Sequence, residues 1–260
     1  LEFPFLLRTG GFSVVIGNPP WISFGLRGVG VLDELLESYL RSNFPNSAEY
    51  KLSLYAVFME AAINLLQQNG IHSFIVPDSF LLGQYFYKVR TYILNNTRIQ
   101  QLVLFLEDFW QGASIGRCVI YSLKKESDYR LLGNSKTEVI EAKTLNDFSV
   151  GIFRKNSYSQ KVFGKTSLSR FRLFFDETTR TIIEKMETNS IPLANVVKLY
   201  SGLIGLRGKD SIVISEKPSD FVENKYGKLI PSGRYLQRYK VTYNGEYIRR
   251  DKKLYKSGYD

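Results

Sequence analysis

The chain has 260 residues but only one cysteine, Cys118, and one histidine, His72. One cysteine excludes an internal disulfide, and this pair alone cannot supply the His/Cys ligand set of an ordinary zinc site. No metal is therefore expected. No apolar run approaches the roughly 18 residues of a membrane-spanning helix, so no membrane association is expected. The N-terminal stretch LEFPFLLRTGG has neither the basic start nor the small-residue cleavage site of a secretory signal. Scarce cysteine and the missing signal together point to a reducing, cytoplasmic setting. A glycine-rich phosphate turn is also lacking. SGLIGLRG (201–208) has no strand–helix context of the required kind, and the glycine pair in GVG (28–30) carries little meaning alone.

What is present is an uneven charge. The formal net charge is +10. Residues 1–150 hold 13 Lys and Arg against 14 Asp and Glu, a net of −1, whereas residues 151–260 hold 22 against 11, a net of +11. Such asymmetry implies two segments with different tasks, one of them facing a polyanion. A basic but merely soluble surface is the simpler alternative.

Along the chain, FSVVIG (12–17) reads as a buried strand, short, β-branched and bounded by Gly and Pro. Residues 31–43 read as a helix. Residues 48–70 read as a stronger one, with Leu54, Val57, Phe58, Ala61, Ala62 and Leu65 at helical spacing and a stop at Asn69-Gly70. IHSFIVP (71–77) reads as a strand, 85–96 as a helix, and 99–105 and 117–125 as strands. The alternation predicts a parallel α/β sheet with helices on its faces. The last of these strands has no long helix before it, which leaves it open to an antiparallel placement. Residues 126–175 are short and mixed, read as β and loop. DETTRTIIEKMETN (176–189) reads as a helix capped by Asp176. A boundary is expected near 175, giving domains 1–175 and 176–260.

The stretch that carries chemistry is GGFSVVIGNPPWISFG (10–25). Two prolines end the strand in a stiff corner, Asn18-Pro19-Pro20-Trp21. In open parallel sheets ligands sit beyond the carboxyl ends of strands. The Asn18 side-chain oxygen and the Pro19 carbonyl are two acceptors able to take both hydrogens of an exocyclic NH2 group. Held out of the ring plane, such an amine keeps its lone pair available to an electrophile. Trp21 offers a face for a planar base. A plain turn with a core tryptophan fits the same four residues.

This segment resembles motif IV of N6-adenine DNA methyltransferases of the TaqI-like branch and of the fused type IIG restriction-modification enzymes. The resemblance continues in order through SLYAVFMEAAINLLQQNGIHSFIVPDSFL (53–81), YKVRTYILNNTRIQQLVLF (87–105) and FWQGASIGRCVIYSLKK (109–125), the last resembling motif VIII. PLANVVKLYSGLIGLRGKD (192–210) and IPSGRYLQRYKVTYNGEYI (230–248) resemble the opening of a target-recognition domain. The resemblance implies a partial Rossmann-like class I methyltransferase sheet followed by the start of an α+β target-recognition domain. It implies the methyl donor S-adenosylmethionine, double-stranded DNA as partner, and a flipped adenine held by Asn18, Pro19, Pro20 and Trp21. Trp110, or its neighbour Phe109, would press on the base from motif VIII. The parent would be a restriction-modification or phage-defence enzyme.

Three positions depart from the family pattern: Ser13 and Ser53 stand where Asp is common, and Trp21 where Tyr is usual. The family's cofactor-binding half precedes motif IV and requires at least ~50–60 residues, but only 17 residues precede Asn18. The expectation is a piece of a longer polypeptide, lacking its N-terminal cofactor-binding region and inactive alone. Arg207, Lys209, Arg234, Arg238, Lys240, Arg249, Arg250, Lys252 and Lys253 are the expected DNA contacts. Residues 225–256 hold ten basic and two acidic side chains, interleaved with six tyrosines. Two other functions compete. One is a protein-glutamine or other amine or amide N-methyltransferase, against which the basic half argues. The other is a non-catalytic DNA-binding module.

Overall fold

The computed structural model describes residues 4, 8, 10–24, 32–107, 116–197, 213–214, 217–222, 226–228, 236–237, 240–243 and 245–249. The chain divides into two units, Leu1–Ser190 and Ile191–Asp260. The first is an α/β layer. Its sheet contains β1 (Phe12–Gly17), β2 (Leu66–Pro77), β3 (Thr97–Phe105), β4 (Cys118–Lys125), β5 (Lys136–Ala142) and β6 (Arg154–Ser159) in the order β1-β2-β4-β3-β5-β6. β1 pairs parallel with β2 and β3 with β5, while β4 runs antiparallel to both its neighbours and β6 antiparallel to β5. The sheet is thus mixed rather than parallel throughout. β4 takes the antiparallel place that its missing crossover helix allows. Residues 126–175 do not leave the sheet; they extend it by two strands.

Four longer helices accompany the sheet: α1 (Glu34–Asn43), α2 (Leu54–Leu65), α3 (Tyr87–Asn96) and α4 (Glu177–Thr188). Asp33 caps α1 by accepting from the Leu35 and Leu36 amides, and Asp176 caps α4 by accepting from Thr179. α2 is shorter than its apolar periodicity predicts, because the chain turns into β2 at Leu66. The turn is set by a close approach. Gly11 has φ +138°, and a Cβ there would lie 2.5 Å from the Gln67 nitrogen. Only glycine lets the start of β1 pass the end of α2. The register of β1 against β2 then shifts, Phe12 opposite Leu66 but Val14 opposite Ile71, with Asn69 in the left-handed region at φ +66°.

The core lies mainly on one sheet face. Phe74, Val76, Leu102, Val119, Tyr121 and Val139 of the strands pack against Tyr55, Met59 and Ile63 of α2, Val89 and Ile93 of α3, and Phe163 and Phe171. α4 lies within the first unit. Ile183 packs on the core and Arg172 pairs with Glu187. On the opposite face a smaller cluster holds Val103, Phe105, Cys118, Ile140 and Ala142, with Trp21, Ile75, Ile120 and Phe148 at its rim.

In the second unit, β7 (Val213–Ile214), β11 (Tyr247–Arg249) and β8 (Tyr226–Lys228) form one small sheet and β9 (Leu236–Gln237) pairs with β10 (Lys240–Val241). Phe221, Tyr226, Tyr243 and Tyr247 form a ring cluster, with Phe221 and Tyr247 centroids 5.3 Å apart. These tyrosines pack on one another. No helix among the described residues is long and apolar enough to cross a membrane.

His72 is fully buried in β2. Its Nδ1–H donates to the Val15 carbonyl at 3.2 Å, and Tyr121 donates its hydroxyl to Nε2 at 2.7 Å. Both bonds suit the neutral ring, and burial lowers its pKa from 6.5 to about 4. The unfolded chain takes up a proton below pH 6.5 that the folded chain refuses until about pH 4. This contribution is complete above pH 6.5 and is lost as pH falls toward 4, about 3 kcal/mol in all. Urea unfolding at stepped pH should show this decline, and the His72→Gln variant should show a flatter profile. Equal slopes in the two proteins would remove His72 as the cause.

Candidate functional site

Parallel pairing of β1 with β2 aligns Gly17 with Phe74, and antiparallel pairing aligns Pro77 with Cys118. Four separated segments therefore meet at the carboxyl edge of β1, β2 and β3: the corner 18–21, the turn after Pro77, residues 106–107, and Gly116-Arg117. Asp78 and Arg117 join two of them with an ion pair of 2.9 Å and a backbone bond from the Asp78 N–H to the Arg117 carbonyl.

The corner itself is asymmetric in burial. Asn18 is exposed, Pro19 is buried, and Pro20 and Trp21 are half-buried. The Asn18 side chain has no hydrogen-bond partner among the described residues, so its amide oxygen is free to accept. Trp21 is fixed at both ends. Its indole N–H donates to the Ile75 carbonyl at 3.2 Å, and its ring packs on the cluster of Val103, Phe105 and Cys118. The tryptophan is therefore partly a structural residue, with only a portion of the ring left open. Beyond it, Ser23 bridges Ser53, with Phe24 N–H on the Leu52 carbonyl and Leu54 N–H on the Ile22 carbonyl. The Ser23 hydroxyl donates to the Ser53 hydroxyl at 3.1 Å. Ser53, a departure from the family pattern, is thus a buried link between the corner and the start of α2.

A second link starts two residues further on. The Tyr55 hydroxyl lies 3.3 Å from Ser79 Oγ, and burial pushes its pKa up to about 12, which keeps the phenol neutral. α2 therefore ties the segment after β1 to the segment after β2.

The sequence gives little warning of what holds that second segment. Arg90 of α3 is wholly buried without a carboxylate in hydrogen-bond contact. Its guanidinium donates to the carbonyls of Phe80 (2.7 Å), Gly83 (2.8 Å), Leu168 (2.9 Å) and Ser169 (3.0 Å). Leu168 and Ser169 have φ of +58° and +47°, a strained conformation that these bonds hold in place. Phe171 N–H takes the Leu81 carbonyl and Arg170 takes that of Leu82. Every carbonyl from Phe80 to Gly83 is thus captured, so the turn is rigid. An arginine in an otherwise apolar helical stripe, VRTYI (89–93), is the only sequence signal for it.

Of the other expected site residues, Phe109 and Trp110 lie outside the described residues, as do Arg207, Lys209, Arg234, Arg238, Arg250, Lys252 and Lys253. Lys240 is exposed on β10, and Arg249 ends β11. No group of three or more His, Cys, Asp or Glu able to hold a metal occurs among the described residues. The sheet ends at β1, whose outer edge has no described strand beside it.

Comparison with known proteins bears out the resemblance read from the sequence. Residues 1–110 match the family model described as Eco57I restriction-modification methylase. The chain is 28% identical over 138 residues to the type II methyltransferase M.BstVI of Geobacillus stearothermophilus, covering 52% of this chain and 24% of that protein. It is 24% identical over 196 residues to the type II restriction enzyme and methyltransferase RM.Eco57I of Escherichia coli, covering 75% of this chain and 18% of that protein. Among solved structures it is similar to the type IIG restriction endonuclease BpuSI, with a TM-score of 0.49 and 18% identity, over 77% of this chain and 25% of that one. The chain thus spans a quarter or less of the length of these relatives.

Replacing Arg90 by Met removes the guanidinium donor from four backbone carbonyls, the buried one of Phe80 among them, and should lower stability by roughly 3 kcal/mol. Urea midpoints read the effect. An unchanged midpoint would contradict the clamp.

Proposed function

We propose that this chain is the substrate-binding part of a DNA adenine-N6 methyltransferase, of the restriction-modification or phage-defence kind, acting with S-adenosylmethionine on an adenine swung out of duplex DNA. The observation that carries the reading is the exposed, unpartnered Asn18 amide at the tip of β1, next to the fixed Pro19 and Trp21. The Asn18 oxygen and the Pro19 carbonyl accept the two N–H bonds of the adenine amine. The Pro19 carbonyl, buried at the corner, is the fixed acceptor that orients the amine, and the Asn18 oxygen is free to turn onto its second N–H. The open part of the Trp21 ring packs on the base. Extruding a base costs a few kcal/mol, and one stacking contact returns about 1–3 kcal/mol. The match of residues 1–110 to the Eco57I restriction-modification methylase model and the similarity to type II methyltransferases support the same reading. Phe109 or Trp110 would supply the second aromatic contact, and the basic residues of 225–256, with Arg207 and Lys209, the phosphate contacts. Residues 1–175 would then be the catalytic part and 176–260 the start of the recognition part.

The cofactor-binding region belongs, in this reading, on the outer edge of β1. That strand is apolar, without a charged residue, yet Val14 is 55% and Ile16 77% exposed. A long apolar edge strand left open is an aggregation hazard that proteins normally blunt. Pairing with a further strand of the same polypeptide removes the hazard and completes the site.

Two outcomes follow. The 260-residue chain alone shows no S-adenosylmethionine binding by calorimetry, and micromolar binding would refute the division of labour. In the full-length reading frame, Asn18→Ala lowers kcat for adenine methylation by about 100-fold or more while DNA affinity is kept, in line with the loss of a preorganised acceptor. Unchanged kcat would remove Asn18 from the site.

A further inference from the structure

An exposed aromatic and basic patch lies beside the corner and is not used by its chemistry. Tyr50 is 81% exposed, and its ring lies 5.9 Å from that of Tyr85. The Lys51 ammonium sits 5.0 Å from the Tyr85 ring centroid. Tyr87 is 42% exposed and Lys88 is exposed beside it. The one acid among them, Glu49, has its carboxylate on the Lys88 backbone N–H at 2.6 Å.

The patch is continuous with the carboxyl edge of the sheet. Phe86 stacks on Tyr55 with centroids 5.3 Å apart, and the Tyr55 hydroxyl reaches Ser79, next to Asp78 at the end of β2. Rings with polar tips, interleaved with ammonium groups, suit a strand that presents planar bases and phosphates in alternation. Protein–protein interfaces are depleted of lysine, so Lys51 and Lys88 argue for a phosphate-bearing partner over a protein.

We propose that Tyr50, Lys51, Tyr85 and Lys88 form a second nucleic-acid contact, on the catalytic unit itself, for the nucleotides flanking the extruded base. The inference rests on the reading of the corner as a base socket. The lysines hold phosphates, and Tyr50 and Tyr85 stack on a neighbouring base or pack on its sugar. This anchors the DNA close to the chemistry, independently of the basic residues of the second unit.

The molecule contains its own control. Tyr129 is 74% exposed with the Arg130 guanidinium 5.8 Å from its ring centroid. That pair follows β4, which starts at the carboxyl edge and so ends at the opposite one.

The test is a fluorescence anisotropy titration of the full 260-residue chain with a labelled duplex carrying an unpaired adenine. Tyr50→Ala and Lys51→Glu should each lower affinity about fivefold or more, while Tyr50→Phe retains it. Lys51→Ala should flatten the slope of log affinity against log salt by about 0.9. Tyr129→Ala and Arg130→Glu should bind like the parent chain, and urea midpoints should confirm that every variant folds. Parent-like binding by Tyr50→Ala and Lys51→Glu would overturn the patch while leaving the DNA reading intact. A parent chain that binds no duplex even at low salt would overturn both.

Discussion

The hydrogen bond from the Trp21 indole to the Ile75 carbonyl is the constraint from which the site is built. A Pro-Pro corner leaves a strand at a fixed angle, but by itself it does not say where the next residues lie. Trp21 settles this by reaching across to β2 and laying its ring on the cluster of Val103, Phe105 and Cys118. Asn18 is then the exposed residue at the tip, between a sheet and a pinned ring. The same tryptophan thus serves as anchor and as wall.

Around the anchor the site is held by polar links between segments far apart in sequence. Ser23 and Ser53 tie the corner to α2, Tyr55 ties α2 to Ser79, and Asp78 ties the end of β2 to Arg117. Arg90 does the same for the turn after β2 with four backbone carbonyls. A buried guanidinium is tolerated only because its donors are so fully used, and its pKa, lowered by burial to about 10, still leaves it charged.

Much of this was legible in the sequence. β1, β3 and β4, the helices α1, α3 and α4, and the corner itself were readable from β-branched runs, caps and the prolines, but β1 is a largely exposed edge strand instead of the buried one expected. The antiparallel β4 could be read as open to that placement from the lack of a crossover. α2 was harder. It is apolar nearly all round, and of the expected stripe Val57 and Ala62 are buried, while the core-facing Tyr55, Met59 and Ile63 lie outside that stripe. Phe58 and Leu65 are in fact about half exposed. The early turn at Leu66 depends on a tertiary contact with Gly11, which no local pattern encodes. His72 gave no sign of its role, because its two partners, Val15 and Tyr121, come from other strands. Arg90 was invisible for a related reason: its partners are carbonyls, which every residue has.

The central claim is chemical: the corner holds an exocyclic amine of adenine. Mass spectrometry of nucleosides from DNA of cells expressing the full-length reading frame, in a host without its own methyltransferases, tests it most directly. The account predicts N6-methyladenine, present with the parent sequence and missing from vector-only cells. A methylated cytosine in its place, or unmodified DNA from an expressed and folded protein, would contradict it.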